Sequence, residues 1–463
     1  MIRNLKVEDV RIIKTSFWLY TSQSTKLLGT IILIPLITSV HGLDALGVWM
    51  SVTAGVSFIH LSDLGMHLPW LNILTERYSK NDVSEFNRQI ISGVLLFALL
   101  GCAGAFAVII LALIIEVAAD VDGSNRLVFF MIFSHFFMFM TKILRSTLRA
   151  FDENSKAVKL EAVQDASILL CSASALGFFG LALSTLAALQ ASIALSFSII
   201  TMFLFLRDKR FKNTNYGYEG IKKTFKDLFP LGKKHLLSTS ANAIITNGPI
   251  LVITSVLGSS SAAIAESART LANIPRQLSS VFQISSLPEF SKMFSLKKYY
   301  EFQNLYKKLL SISWIISAIS SVVLLVMGGY ILQTLTNYQH EYTYLLFAWF
   351  AFWCISESVK MLAHEALLAT SQFGLVGVID ILGAITVIIV LFVLSIYMDI
   401  LALPISLFLV NFLMAIPVFS FSLMRIIKSD SFTASVTRFC KHFYLLVSLG
   451  IFLLTLVTFH SVR

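Results

Sequence analysis

Charge is what this sequence has least of. Asp, Glu, Lys and Arg supply 13% of its 463 residues, against about 25% in an ordinary soluble domain. That deficit excludes a water-soluble globule, because the apolar residues gather in segments of about 20, the span of a bilayer core. The segments are too long and too continuously apolar for the alternating strands of a membrane barrel, so every span is expected to be an α-helix. Cysteine is scarce too. Cys102, Cys171, Cys354 and Cys440 have no metal-ligand spacing and read as small apolar residues rather than a disulfide framework. No P-loop, no HExxH and no GxSxG in a strand–turn–helix context occurs. The polar residues make no nucleophile–base–orienter set, which argues against an enzyme, and no cofactor is expected. The first apolar stretch lacks a short h-region with a cleavage site, so it reads as a retained helix.

Twelve spans are present, at 15–40, 46–70, 90–115, 127–149, 157–178, 181–206, 235–257, 262–290, 309–332, 343–369, 374–397 and 401–426. A further apolar run, 443–459, is either a thirteenth span or an interfacial helix. The formal charge is +10, and its placement makes it a topology signal, not a nucleic-acid footprint. Thirty of the 36 Lys and Arg lie at the amino terminus, in every second loop or the span ends beside it, and at the end of the twelfth span and in the tail. The alternate loops hold Arg126 with Asp44, Glu116, Asp120, Asp122, Glu341 and Asp399. By the positive-inside rule the amino terminus is cytoplasmic. The external loops are short.

The chain carries an internal echo. ITSVHG (37–42) and ITSVLG (253–258) differ at one position, 216 residues apart, each at the external end of the first span of a six-span half. A second, weaker echo sets 148–163 over 367–382, with Glu161 over Asp380. Six spans per half give a parallel repeat, a common transporter plan. The expected organisation is an N-lobe (1–206), a basic cytoplasmic linker (207–234), a C-lobe (235–427) and a basic carboxyl-terminal segment (428–463). The fold class is an all-α polytopic membrane protein of two six-helix lobes about a pseudo-two-fold axis along the membrane normal.

Of the six Lys and Arg outside that count, four sit well inside spans: Lys26, Arg269, Arg276 and Lys360. Such a charge costs at least about 2.5–3.5 kcal/mol at a helix centre, so each needs an ionic partner, water or a function. Lys26 lies in the polar half of span 1, with Pro35 beyond it as an expected kink. It is an ion-paired lysine or a substrate contact. In span 8, Glu266 and Arg269 are placed to pair. Arg276 follows two turns later on the same face, with Asn273 between and Pro275 expected to loosen the helix. That face reads as a salt-bridge network or as guanidinium forks for phosphate, lining a central cavity.

In span 10, Glu357, Lys360, His364 and Glu365 form one stripe. Glu357 and Lys360 are placed to neutralise each other. His364 or Glu357 either carries a coupling proton or pairs structurally. The aromatics Phe347, Trp349, Phe350, Phe352 and Trp353 pack the core or stack on sugar rings. In SFIHLSDLGMHLPW (57–70), His60, Asp63 and His67 are expected on one helical face, too few for a zinc site. Asp63 pairs with a cation or protonates in the coupling step. Glu161, Asp165 and Asp380 are expected near cytoplasmic ends, snorkelling or paired with loop arginines.

LGVWMSVTAGVSFIHLSDLGMHLP (46–69), ARTLANIPRQLSSV (268–281) and SSLPEFSK (285–292) carry a resemblance that covers all twelve spans. The chain resembles the O-antigen (Wzx-type) flippases of the multidrug/oligosaccharidyl-lipid/polysaccharide exporter superfamily. The resemblance implies two six-helix lobes in a V around a central cavity. It implies export of an undecaprenyl-pyrophosphate-linked oligosaccharide from the cytoplasmic to the periplasmic leaflet of a bacterial inner membrane, with cavity cations holding the anionic head group. Lys26, Arg269, Arg276 and Lys360 fit that role. An H+ or Na+ gradient would reset the protein, with Asp63, Glu357, His364 and Glu266 as candidates for coupling or for lining the cavity. Partners in the pathway would be a polymerase and glycosyltransferases. A multidrug exporter, a polysaccharide polymerase and a membrane scaffold are the rival readings. A cationic cavity disfavours the first, and short external loops the second. The third leaves the charges inside the spans unexplained.

Overall fold

A computed structural model describes residues 7–80, 83–119, 125–150, 154–207, 218–337, 343–370 and 372–427. The run 443–459, Cys440 and the tail cations Lys428, Arg438 and Lys441 lie outside them. No strand occurs among the described residues. Long helices follow one another: α1 (Val7–His41), α2 (Leu43–Ser57), α3 (His67–Ser79), α4 (Val83–Ala119), α5 (Asn125–Ala150), α6 (Asn154–Phe179), α7 (Leu183–Arg207), α8 (Tyr218–Leu257), α9 (Ser259–Ser295), α10 (Tyr299–Thr336), α11 (Thr343–Ala369), α12 (Phe373–Met398), α13 (Ala402–Val410) and α14 (Ile416–Ile427). Among the described residues, ten stretches are long and apolar enough to cross a membrane. One of them, Phe373–Ile427, holds both α12 and the α13–α14 helix, which turn about Asp399 (φ 51°). The remaining expected span, α9, is too polar to qualify by composition, because it carries Glu266, Arg269, Arg276, Glu289 and Lys292. It is nonetheless a continuous helix, and Pro275 does not interrupt it. α1 likewise runs unbroken past Pro35. Much of the expected linker is helical: α8 begins at Tyr218 and continues into the seventh span.

The two halves of the ITSV echo adopt the same local structure. Each hexapeptide ends on a glycine of positive φ, Gly42 at 86° and Gly258 at 88°. Each glycine N–H donates to the carbonyl of the threonine four residues back, Thr38 at 3.0 Å and Thr254 at 3.1 Å. Each threonine hydroxyl donates to its own i−4 carbonyl, Ile34 or Ile250, at 2.8 Å. Gly42 has ψ 173°, a region that only glycine enters without strain. The echo therefore encodes a sharp reversal used twice, between α1 and α2 and between α8 and α9.

Contacts divide the chain into two compact units, residues 1–267 with 332–338, and residues 268–331 with 339–463. In the first, α5 packs along α7 and α1 along α6. α7 turns Ala187, Ala191, Ala194, Ser198 and Thr201 inward. Small residues at that spacing let backbones approach closely. The Ser198 and Thr141 hydroxyls bond at 2.7 Å across the α5–α7 seam. In the second unit a buried row of hydroxyls, Ser279, Ser317 and Ser358, links α9, α10 and α11, and the Gln283 amide donates to the Ser358 carbonyl at 2.9 Å. Polar links of this kind hold helices together where apolar side chains cannot discriminate between helix and lipid. Large apolar side chains such as Phe106, Phe178, Phe203, Val326 and Phe392 are exposed, as a lipid-wetted surface requires.

Candidate functional site

The charges inside the spans form three groups. The first lies on α1, α5 and α6. The Lys26 ammonium sits 2.8 Å from Glu161 and 3.4 Å from Asp165. The buried Ser22 hydroxyl donates to Asp165 at 2.6 Å, and Arg149 reaches Glu161 at 3.2 Å. The buried Arg145 guanidinium donates to the Gln164 side-chain amide oxygen, Oε1, at 3.0 Å. Lys26 is thus an ion-paired lysine. Asp165 stands eleven residues into the 26-residue α6.

The second group is SFIHLSDLGMHLPW, and it is not one helical face. The chain leaves α2 at Ser57, tightens into a 3₁₀ turn over Phe58–Asp63, passes through left-handed Leu64 (φ 50°) and Gly65 (φ 71°), and restarts as α3 at His67. Asp63 anchors this break. Its Oδ1 accepts the Gly65 N–H at 2.9 Å, its carbonyl accepts the Met66 N–H at 2.8 Å, and Oδ2 lies 3.5 Å from Lys142 on α5. His67 bonds Ser146 at 2.5 Å, and the His60 ring packs on His135 and Phe139. All three residues therefore meet α5. Asp63 and His67 are buried, at 3% and 7% exposure. A buried N–H left without its acceptor costs about 1–3 kcal/mol. Asp63→Ala is expected to lose stability on that scale in detergent melting, and Asp63→Asn, which keeps the acceptor, markedly less. Equal melting of all three proteins would remove Asp63 from this role.

Apart from Glu266, the third group belongs to the second unit. Lys360 and Glu357 pair at 2.8 Å. The same carboxylate accepts the Asn411 amide at 2.7 Å and lies within electrostatic reach of Arg276. Arg276 Nε donates to Asn273 at 2.9 Å. Arg269, two turns earlier on α9, is buried, and Glu266 is half-buried. His364 lies between Asp380 (3.2 Å) and Glu365 (3.4 Å), with Phe419 against its ring. The aromatics of α11 pack inward: Phe347, Phe350 and Trp353 are buried, and Trp349 and Phe352 lie against Phe408. Core packing, not an open stacking surface, describes them.

Asn411 was not among the sequence candidates. It opens a short π-helical segment, Asn411–Ala415, a distortion that recurs at functional sites. Its signal was a lone amide in the apolar run ISLFLVNFLMAI.

The polysaccharide biosynthesis protein family model matches residues 85–343. None of the curated proteins matches the sequence. Among solved structures, the lipid II flippase MurJ in an inward closed conformation is similar at a TM-score of 0.65 and 14% identity, over 97% of this chain and 98% of that one. An inward-facing multidrug resistance MATE family transporter of the MOP superfamily is similar at 0.64 and 12% identity, over 93% and 98%. A MOP superfamily transporter from Pyrococcus furiosus is similar at 0.64 and 12%, over 91% and 96%. Identities this low speak for a shared fold. With that fold and a family match over more than half its length, this multi-pass membrane chain belongs to the polysaccharide biosynthesis protein family.

Proposed function

We propose that the protein is a flippase that carries an undecaprenyl-pyrophosphate-linked oligosaccharide, an O-antigen repeat unit or similar, from the cytoplasmic to the periplasmic leaflet of a bacterial inner membrane. It works by alternating access, with its amino terminus in the cytoplasm. One observation supports the reading most. Within the second unit, Arg276 and Lys360 both bear on a single carboxylate, Glu357. That trio carries one surplus positive charge on helices of membrane-crossing length. A pyrophosphate is the complementary anion, and guanidinium forks match its oxygens. Moving it needs no bond chemistry. It needs a path that lowers the desolvation cost of the charge. The His364–Asp380–Glu365 group is the best-formed candidate for an H+ or Na+ coupling step, since its members bond to one another. A multidrug exporter shares the fold, but the surplus positive charge repels cationic drugs.

A deletion strain separates the readings. A flippase loss accumulates the lipid-linked unit facing the cytoplasm. A polymerase loss leaves single units exported. Glycosyltransferases acting before the step and a polymerase after it complete the pathway. Normal export in the deletion strain would end the proposal.

A further inference from the structure

On the accessible side of the first group Lys26 and Arg149 balance Glu161 and Asp165, with Arg145 buried, and that balance suits a different part of the substrate. Lys26 is more than half exposed, with 54% of its side chain accessible, although it lies in an apolar span. Glu161 and Asp165 are accessible at 19% and 17%. Asp165 is eleven residues into α6, inside a stretch long and apolar enough to cross a membrane. A partly exposed ion cluster within such a stretch cannot face lipid, so it faces water or a polar ligand. α1 extends the same wall. Gln23, Lys26 and Thr30 are all exposed and fall at i, i+3 and i+7, one helical stripe.

The chemistry of the wall selects the ligand. A phosphate approaching Lys26 meets Glu161 and Asp165 beside it. A cation approaching those carboxylates meets Lys26 and Arg149. Both signs of charge are therefore opposed. What remains is a dense, rigidly paired array of acceptors (two carboxylates, an amide oxygen, a hydroxyl) and donors (an ammonium, an amide, a hydroxyl). Neutral polyhydroxyl compounds use both kinds of group at once. We infer that the Lys26–Glu161–Asp165 wall, with Gln23 and Thr30, is a subsite for sugar hydroxyls, separate from the cationic residues of α9 and α11 that take the pyrophosphate. This deepens the flippase reading and rests on it. It also reassigns Lys26 from the phosphate set to the glycan set.

The test uses the full-length chain in lipid nanodiscs and two probes, undecaprenyl pyrophosphate and the same lipid bearing one hexose. The wild-type protein is expected to bind the hexosyl lipid more tightly. Glu161→Gln with Asp165→Asn should weaken hexosyl-lipid binding about tenfold, the scale of one hydrogen bond to a charged group, and leave the bare lipid unchanged. Gln23→Ala keeps every ion pair and should narrow the gap by severalfold; it carries the test if the double variant misfolds. Equal wild-type affinity for the two lipids would overturn the subsite, as would variants that leave the gap intact or weaken both lipids alike. A wild-type chain that binds neither lipid would sink the flippase reading itself, and the subsite with it.

Discussion

Arg269→Ala combined with Arg276→Ala is expected to abolish surface polysaccharide while the protein remains in the membrane at its normal level. The two guanidiniums stand two turns apart on α9, one buried and one half-buried. On the proposed flippase reading, their spacing, about 10 Å along the axis, would let them hand an anion from one to the next as the protein changes state. Each charge-assisted hydrogen bond to phosphate is worth about 1.5–3 kcal/mol, so losing both sites slows transport by roughly two to four orders of magnitude. Conservative changes sharpen the reading. Arg276→Lys keeps the charge but loses the planar fork that Asn273 orients through Nε, so it should retain partial export. Arg276→Gln should not. Immunoblots of membrane fractions separate a transport defect from a folding defect. Full surface polysaccharide in the double alanine variant at normal protein level would remove these residues from the path.

Helices and most of their ends were legible in the sequence, because long apolar runs leave the backbone no option but to bond within itself. The echo at 37–42 and 253–258 was legible as well. It became informative only with dihedral angles, since the glycine that ends each copy is what forces the reversal. The break at Asp63 was misread for a physical reason. Apolar periodicity continues across residues 57–70, and a 3₁₀ turn followed by a left-handed pair leaves no gap in it. The cue was the local chemistry of Ser62-Asp63-Leu64-Gly65, where an Asp side chain can bond the N–H two residues on. Local pairs such as Glu357–Lys360 follow from helical spacing. Lys26–Asp165, Lys142–Asp63 and Asn411–Glu357 join helices far apart in the chain, and no spacing rule reaches them. Their residue types were conspicuous, since each is a polar group in an apolar run, but their partners were decided by packing.

Glu357 tests that last point most directly. Its carboxylate is the counter-ion of Lys360, accepts the Asn411 amide and lies within electrostatic reach of Arg276, with the whole residue 8% exposed. Removing one member of a buried ionic group strands the others without water, at a cost of about 3–5 kcal/mol. Glu357→Ala is therefore expected to cause the largest loss of melting stability in detergent among single changes at the site. The loss should be electrostatic, and a double-mutant cycle exposes that. Lys360→Met added to Glu357→Ala removes one stranded cation while keeping the packing volume, so the pair should be more stable than Glu357→Ala alone. Glu357→Gln retains an acceptor for Asn411 and should fall between. If the cause were lost packing, Lys360→Met would add to the damage instead of relieving it. Transport distinguishes the two cations further. On the proposed flippase reading, removing Glu357 would let Arg276 and Lys360 bind the pyrophosphate without a competing carboxylate. The folded fraction should then hold bare undecaprenyl pyrophosphate more tightly and release it more slowly. An unchanged melting temperature for Glu357→Ala would show that water already reaches the pair, and that the surplus charge of this group needs no internal counter-ion.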